Sequence, residues 1–488
     1  MNAHHVTHRS LLGSSCLSLI ACSGLALVAA GCSEEDPTII MNPAGSGGSQ
    51  TAASGGGAGT PGSAGSPASA GTGGTASAAG GTEEHVSGDI TANTTWTSGN
   101  TYVLDDITYV VSGVTLTIEP GTTIKGGGIG SALIVVRGGR LVAEGTAASP
   151  ILFTSDIAEG LRGPGDWGGV ALLGAAPTNV DGPQLEGIEA LGGRGAYGGT
   201  DPAHDCGSLE YVRIEFAGFE FSMDNELNGL TLAGCGTGTN IDYVQVHRGS
   251  DDGIEIFGGT VDIHHVVLSN IQDDSLDWDF GWTGRAQFLV ARHDAATSDA
   301  GFEADNGNPS TDVQPRSAPT IYNATLVGSA GSGSPGMVLR RGTWGTIYNT
   351  IVTGFPVSGV DIRDTFSVDG TATAPPSLLV ANSIFFNNGT DGAEHGDADG
   401  TGDADDDGGF DENAYVRGEA FANRFDVDPG LASAADVSAP SFVPAAGSAA
   451  ASGAATPPAG LDARATYVGA FAPGGADWTS GWTAYPQN

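Results

Sequence analysis

Residues 253–278 read GIEIFGGTVDIHHVVLSNIQDDSLDW, and the four-residue pattern that opens this stretch returns at its end. The pattern is Gly or Ser, followed by an apolar, a polar and an apolar residue. It occurs six times, at intervals of 24, 22, 26, 35 and 23 residues. The copies begin at Gly229, Gly253, Ser275, Gly301, Gly336 and Gly359. A repeat of this period indicates an array of stacked units.

Longer runs that alternate apolar and polar residues lie between these copies, as at 241–246 and 321–326. Such alternation is typical of half-buried β-strands, and helix-like spacing is nearly absent after residue 85. Two or three short strands in each unit predict an all-β parallel β-helix, in which coils stack about 4.8 Å apart. A β-propeller needs blades of about 40–50 residues, which these intervals do not supply.

The N-terminal part of this region carries a family resemblance. Residues 102–155 contain the runs TLTIEPGT and GGRLVAEGT, and GDWGG follows at 165–169. With the ending at 467–482, these motifs resemble a large group of secreted bacterial right-handed parallel β-helix surface proteins. The resemblance covers nearly everything after residue 85. It implies the fold and a surface location, and it implies no particular enzymatic activity.

The composition narrows the range of partners. The chain has 488 residues, of which 80 are glycine, and a formal net charge of −39. Lys125 is the only lysine. A nucleic-acid-binding protein needs basic patches that contact phosphates, so we expect no nucleic-acid partner. Divalent cations, cationic surfaces or neutral sugars suit the charge better, although acidity also serves solubility alone.

Residues 1–31 have the pattern of an export signal. Arg9 precedes an apolar stretch that ends in VAAGC at 28–32. This ending resembles a bacterial lipoprotein signal, which implies lipidation of Cys32. Cys22 ends a similar box but is followed by apolar residues, and an ordinary cleaved signal is the further alternative. We therefore expect an exported protein, anchored through its lipid in the outer membrane or at the cell surface.

The rest of the chain divides at residue 85. Residues 32–84 are expected to form a flexible linker, because from 44 to 82 every residue is Ala, Gly, Ser, Thr, Pro or Gln. The β-helix is expected over 85–488, with an acidic insertion at 391–413 and a C-terminal closing segment.

Two cysteines remain after the signal and the lipidation site. Cys206 and Cys235 are 29 residues apart, which is about one coil, so stacking can bring them together. Export to an oxidising compartment favours a disulfide between them, and two small buried thiols are the alternative.

A column of acids follows from the predicted stacking. In the four-residue pattern the apolar residues point inward, so Glu255, Asp277 and Glu303 should point outward on successive coils. Carboxylates at coil spacing repel one another, so such a stack needs a cation, a shared proton or an arginine, and calcium accepts such sets of oxygen ligands. We therefore predict a calcium site at these residues.

Two pairs of aspartates precede neighbouring repeats. These are Asp251, Asp252, Asp273 and Asp274. The first pair partly resembles the Asp-Asp motif of polygalacturonase-like glycoside hydrolases, which share this fold, and the resemblance implies a catalytic role for these carboxylates. The Gly-His-Gly and Arg-x-Lys motifs of that family are missing. Capping of turns by aspartate is the simpler alternative.

Lyases on this fold use calcium and an arginine base. The possible bases here are Arg285, Arg292, Arg340 and Arg363. No motif chooses among them, so the favoured expectation is that the protein has no catalytic residue.

A second acidic cluster alternates aspartate with small residues. Its members are Asp397, Asp399, Asp403, Asp405 and Asp407. The last three, followed by Gly408, match the first half of a calcium loop, but Ala414 stands where the closing Glu should be. We predict calcium here too, with a solvated acidic loop as the alternative.

Two further patterns make predictions about geometry. His264 and His265 are adjacent in a predicted strand, so their side chains should face opposite ways and share no metal. Trp278, Phe280 and Trp282 form either a platform for stacking sugars or part of the core.

These observations together predict a non-enzymatic surface protein with a role in adhesion, glycan binding or envelope structure, stabilised by calcium. Its expected partners are the membrane, through the lipid anchor, and a polysaccharide or another surface protein. A polysaccharide lyase or glycoside hydrolase is the alternative.

Overall fold

A computed structural model of the chain describes residues 81–186, 192–222, 225–294, 298–331, 333–392 and 407–488. The predictions for the export signal, for Cys32 and for the linker up to residue 80 lie outside these residues. So do those for Asp397, Asp399, Asp403 and Asp405.

The described residues are mostly short strands. In chain order these are β1 (Glu83–Ile90), β2 (Thr94–Trp96), β3 (Thr101–Val110), β4 (Thr115–Ile118), β5 (Thr123–Gly126), β6 (Ala132–Val135), β7 (Arg140–Glu144), β8 (Ile151–Ser155), β9 (Gly169–Leu173), β10 (Gly207–Glu215), β11 (Glu220–Ser222), β12 (Asn225–Glu226), β13 (Leu230–Ala233), β14 (Asn240–His247), β15 (Ile254–Phe257), β16 (Asp262–Ser269), β17 (Leu276–Asp279), β18 (Arg285–Arg292), β19 (Phe302–Ala304), β20 (Thr320–Val327), β21 (Met337–Leu339), β22 (Gly345–Tyr348), β23 (Ile351–Thr353), β24 (Ser358–Ile362), β25 (Leu378–Ala381), β26 (Ile384–Phe386), β27 (Thr390–Gly392) and β28 (Arg424–Phe425). The helices are α1 (Thr365–Thr371) and α2 (Glu412–Val416), with single 3₁₀ turns at Glu419–Phe421 and Ala449–Ala451.

The strands wind into a right-handed parallel β-helix, which confirms the predicted fold. Apart from the small antiparallel pair β11 and β12, each strand pairs in parallel with the strand one coil earlier or later. One face of the solenoid, called here the acidic face, consists of β6, β9, β13, β15, β17, β19, β21, β24 and β27. In the middle coils the long strands β10, β14, β16, β18 and β20 form the other two faces, which pairs of shorter strands such as β7 with β8 and β22 with β23 continue at either end.

Each long strand bends at one residue with a positive φ. These residues are Tyr211, Tyr243, His265, Phe288 and Asn323, with φ between 46° and 63°. Left-handed backbone costs an ordinary residue about 1–2 kcal/mol, and stacking of the rings on successive coils offsets part of this cost. Ring centroids lie 4.4 Å apart between Tyr211 and Tyr243, and 4.3 Å apart between Tyr243 and His265.

The bend changes the prediction for the two adjacent histidines. His265 has φ 46°, so the alternation of side chains fails at this point. His264 and His265 both line one open cavity of about 450 Å³. The expectation that they face opposite ways was wrong, because it assumed an unbroken strand.

The interior of the solenoid is filled by the apolar residues of the repeat. Ile254, Ile256 and Leu276 are fully buried. Trp278 and Trp282 are also buried, with ring centroids 5.8 Å apart. These two tryptophans therefore belong to the core, as one of the two alternatives held, and not to a platform for sugars.

The C-terminal residues 430–488, called here the closing segment, cover the long strands. Trp482 is buried and packs edge-on against Tyr211 and Tyr243, at 5.8 and 6.0 Å. Three amide side chains of the coils each bond both the N–H and the C=O of one residue in this segment. The pairs are Gln245 with Ala484, Gln287 with Asp462, and Asn349 with Ala455.

The predicted disulfide is absent from the structure. Cys206 and Cys235 are both buried and both free, although their side chains lie close enough to interact. The Cys235 thiol donates to the Leu172 carbonyl at 3.4 Å. Stacking therefore brings the two cysteines together as predicted, but each remains a thiol that fills space in the core.

None of the helices in the described parts of the chain combines the length and the apolar character that crossing a bilayer requires.

Candidate functional site

The predicted column of acids exists in the register of the acidic face. Glu255 pairs with Asp277, and Asp277 pairs with Glu303, on three successive coils. Their side chains point away from the solenoid core, because Ile254 and Ile256 on either side point into it. The spacing of the repeat alone was enough to place these three carboxylates in one line.

The column is nevertheless buried, which its sequence pattern did not indicate. Glu255 is 7% exposed and Asp277 is 8% exposed. The reason is the insertion between β9 and β10, residues 174–206, in which Leu185 and Tyr197 pack against Phe257 over this face. The insertion also places the Glu186 carboxyl at hydrogen-bonding distance from Glu255. The repeat pattern gave no signal for Glu186, since the insertion does not follow it.

An inner group of carboxylates forms beneath this cover. Asp252, Glu255 and Asp277 each contribute an oxygen, and these oxygens lie within 4.8 Å of one another. The Asn228 amide nitrogen donates to Glu255 Oε2 at 2.6 Å. The Asn228 Oδ1 and Asp277 Oδ1 atoms are buried and have no hydrogen-bond partner among the described residues. The inner group therefore contains more oxygen acceptors than hydrogen-bond donors.

An outer row of carboxylates lies at the preceding turn. Asp251, Asp252 and Asp273 bring oxygens within 4.8 Å of one another, and so do Asp273, Asp274 and Asp299. Asp299 lies two residues before the copy at Gly301, as Asp251 and Asp273 do before their copies, so the repeat could have found it, although it was not among the predicted residues. The aspartate pairs predicted as alternative catalytic residues thus come together in space.

Two of these aspartates also cap turns. Asp252 Oδ1 accepts from the Asp274 backbone N–H at 3.0 Å, and Asp274 Oδ1 accepts from the Ala300 N–H at 2.5 Å. Turn capping, the simpler alternative, therefore accounts for Asp252 and Asp274 in part. The Asp251 carboxyl also accepts a backbone hydrogen bond, from Asp252, so among the two pairs capping leaves Asp273 unexplained.

The crowding changes the protonation of the acids. Burial, followed by the neighbouring Asp273, raises the pKa of Asp251 to about 8. Burial also raises the pKa of Glu303 to about 7, even though Arg340 acts in the opposite direction. For Asp252, Glu255 and Asp277 the pKa is raised well above its ordinary value, again by burial first. The shared cause is that burial among other carboxyls disfavours the charged form of each group.

The arginines on this face are engaged by acids. Arg340 bonds Glu303 and Asp305, and Arg341 bonds Asp305 at 2.7 Å. Arg363 bonds Asp361 at 3.0 Å. The remaining candidate bases are also occupied. Arg285 is paired with Asp262, and Arg292 is buried and bonded to Asn270.

Asp407 is the one predicted ligand of the second acidic cluster that the structure describes. It is buried, and its Oδ1 accepts from the Gly409 N–H at 2.6 Å. At this residue the chain packs against the solenoid, which differs from a solvated loop.

Comparison with known proteins gives one match. A family model described as a pectate-lyase-like beta helix domain matches residues 88–413. Neither the curated proteins nor the solved structures contain a significant match. The matched region includes every strand of the acidic face and both groups of carboxylates. The stacked parallel coils and this match over about two thirds of the chain show that the protein belongs to the pectate-lyase-like β-helix family.

Proposed function

We propose that the protein binds calcium on its acidic face and uses this face to bind polysaccharide without cleaving it. The observation that carries the proposal is the clustering of carboxylate oxygens within 4.8 Å of one another in three overlapping groups. The family to which the chain belongs supports a carbohydrate ligand.

Calcium is the cation that fits this set of ligands. The groups consist of carboxylates, with the Asn228 amide oxygen nearby, and no histidine or cysteine takes part in them. Calcium takes six to eight oxygen ligands in flexible geometry, whereas transition metals favour nitrogen or sulfur. Asp252 belongs to two of the groups, so the inner group and the outer row can act together.

The arginines favour binding over cleavage. A lyase of this fold needs an arginine that is free to take a proton, and the four candidates are all held by acids or amides of the chain. The inner group is covered by the insertion, so the accessible part for a glycan is the outer row around Asp251 and Asp273.

The test is calcium and polysaccharide binding by the full chain. Titration calorimetry should detect calcium binding to the wild type and fewer bound ions in the double variant Asp251→Asn with Asp273→Asn, which removes ligands of the outer row and leaves the inner group. Retention on insoluble acidic and neutral polysaccharides should require calcium and should be lost in the same variant. Glu83→Gln, an exposed change outside the groups, is the matched control. Equal calcium binding in all three proteins would refute the proposal.

Cleavage is the second candidate, and one observation favours it. The raised pKa of Asp251, about 8, beside a second carboxylate is a property of a general acid. A digestion screen over polysaccharides, with and without calcium, decides between the two. Release of products that Asp252→Ala and Asp274→Ala abolish would replace the binding proposal with an enzymatic one.

We further propose that the β-helix is held at the bacterial surface through a lipid on Cys32. The support is the signal-like sequence at residues 1–31 and the polar linker after it. Labelling with a fatty acid in the native host should mark the wild type and not the Cys32→Ala variant. If Cys22→Ala abolished labelling and Cys32→Ala did not, Cys22 would be the lipidated residue.

A further inference from the structure

An open cavity of about 450 Å³, called here the side cavity, lies between the long strands and the closing segment. Asp242, His264 and Gln287 form its floor, and they pair in register on three successive coils. Its wall comes from residues 462–478 of the closing segment. These strands are not those of the acidic face, so the side cavity is separate from both groups of carboxylates there.

Stacked rings hold the floor of the side cavity in place. The His265 ring lies between those of Tyr243 and Phe288, with centroids 4.3 and 4.7 Å away. Trp478 meets His265 edge-on at 5.1 Å, and His265 Nδ1 lies 2.8 Å from Asp242 Oδ1. Because these side chains are fixed in advance, a ligand that binds here loses little free energy in ordering them.

The wall is fixed by hydrogen bonds at both ends of one residue. Gln287 bonds the N–H and the C=O of Asp462, and the Asp462 carboxylate accepts from Arg464 Nε and Nη2, both at 2.8 Å. Asp242 and Asp462, the two carboxylates of the side cavity, are thus each bonded to a nitrogen of a basic side chain. This pairing leaves little uncompensated charge to attract an ion.

Four polar groups around the side cavity keep hydrogen-bonding capacity for a ligand. Asp242 Oδ2, the His264 ring, the Tyr467 hydroxyl and Arg464 Nη1 have no bonded partner among the residues that the structure describes. Burial lowers the pKa of His264, so its imidazole is mainly neutral at pH 7 and offers one donor and one acceptor. The four groups therefore include both donors and acceptors.

This mixture selects the chemical class of the ligand. A hydroxyl group donates and accepts, so a ligand with several hydroxyls can match all four groups. An anion would match only the donors, and a metal ion only the acceptors. The half-buried rings of Tyr467 and Trp478 add apolar surface for the C–H groups of such a ligand.

We propose that the side cavity binds a neutral saccharide of one or two rings and needs no calcium to do so. Its volume lies in the range of roughly 300–1,000 Å³ that is usual for small-molecule sites. We expect affinity in the millimolar range, because a few hydrogen bonds to water-exposed groups contribute little net free energy. Such a site recognises a sugar but does not by itself retain the protein on an insoluble polysaccharide. The inference goes beyond the proposed function, since it uses another face and no cation.

The test is saturation-transfer NMR on the full chain in chelator, with cellobiose, maltose and lactose as the probes. At least one of them should receive saturation from the wild type. Tyr467→Phe, which removes only the hydroxyl, should weaken the binding of that disaccharide about fivefold, and His264→Ala should weaken it at least as much. Tyr348→Phe, at a half-buried tyrosine outside the side cavity, is the matched control and should bind like the wild type.

The Asp251→Asn and Asp273→Asn double variant should also bind like the wild type, which separates this site from the acidic face. Three outcomes would overturn the inference. One is the absence of transfer to all three disaccharides, and another is equal affinity of the wild type, Tyr467→Phe and His264→Ala. The third is loss of binding in the double variant, which would place the sugar on the acidic face.

Discussion

The acidic face and the long-strand faces are built from the same coils, yet their outward polar groups meet different partners. Gln245 and Gln287 lie on the long strands, and Asn349 lies between β22 and β23, which pair with β20. Each of these amides bonds both the N–H and the C=O of a residue in the closing segment. On the acidic face, Asp277 Oδ1 and Asn228 Oδ1 are buried with no partner in the described part of the chain. Both faces are covered, so burial alone does not explain the difference.

The chemistry of the covering segment explains it. The closing segment brings backbone donors and acceptors, which match amide side chains. The insertion over the acidic face brings another carboxyl, Glu186, against Glu255. One cover therefore completes the hydrogen bonding of the side chains beneath it, and the other leaves acceptor oxygens unpaired at the place where we propose a cation.

The largest expected effect concerns the closing segment. Trp482→Ala should lower the free energy of unfolding by about 3–5 kcal/mol, because it removes a buried indole from the ring stack of Tyr211 and Tyr243. Urea denaturation measures the change, and Trp482→Phe, which keeps a ring, should lose less. A loss below about 1 kcal/mol would show that the closing segment contributes little to stability.

The contributions of the two faces to the free energy of unfolding should change with pH in opposite directions. His247 donates through Nε2 to the Pro486 carbonyl and accepts at Nδ1 from Ser269, both at 2.8 Å, and burial lowers its pKa to about 3. The unfolded state therefore binds more protons, and stability falls as the pH drops from about 6.5 towards about 3, by about 1.4 kcal/mol per unit.

On the acidic face the stability changes with pH in the opposite direction. The pKa of Asp251 is raised to about 8, so the folded state binds more protons, and stability falls as the pH rises from about 4 to about 8. Melting temperatures in chelator across pH 4–8 test both effects. His247→Gln should reduce only the fall in melting temperature at the acidic end of the curve. Asp251→Asn should reduce only the fall that occurs as the pH rises towards 8. Similar curves for all three proteins would contradict this assignment.

Neutralising one buried acid should stabilise the protein when calcium is absent. At neutral pH, Asp277 must either stay charged near Glu255 and Glu303 or take up a proton. Asp277→Asn avoids both costs and should raise the free energy of unfolding in chelator by about 1–3 kcal/mol.

Calcium should reverse the order of stability, since the variant lacks one ligand. Asp89→Asn is the control, because Asp89 is paired with Arg194 at the surface and should change stability by less than about 1 kcal/mol. Denaturation curves in calcium and in chelator give the comparison, and a variant less stable in both would count against a cation site here.

The smallest expected effect is at a single amide pair. Gln287→Ala should cost about 1–2 kcal/mol, because it leaves the N–H and C=O of Asp462 without their partners. Gln314→Ala, in an exposed loop, is the matched control. Equal stability of the two variants would mean that water replaces the lost bonds at no cost.

The sequence predicted the fold and the acidic column well, because both depend on the spacing of the repeat. Equal spacing of inward apolar residues dictates which residues stack, and so Glu255, Asp277 and Glu303 were placed in line. Glu186 was missed, since it reaches Glu255 from an insertion that departs from the repeat. Asn228 and Asp299 stand at the same repeat positions as the aspartate pairs, so the spacing could have found them. The cysteine contact was predicted, but the chemistry between the two thiols was not.

By itself, the sequence of this protein determined the stacked coils, since the alternation of apolar and polar residues leaves few other ways to bury so many short strands. Only the tertiary structure decided which outward side chains lie in water and which lie under a cover. That choice depends on contacts between segments far apart in the chain, such as His247 with Pro486 or Glu255 with Glu186, and no local pattern encodes them.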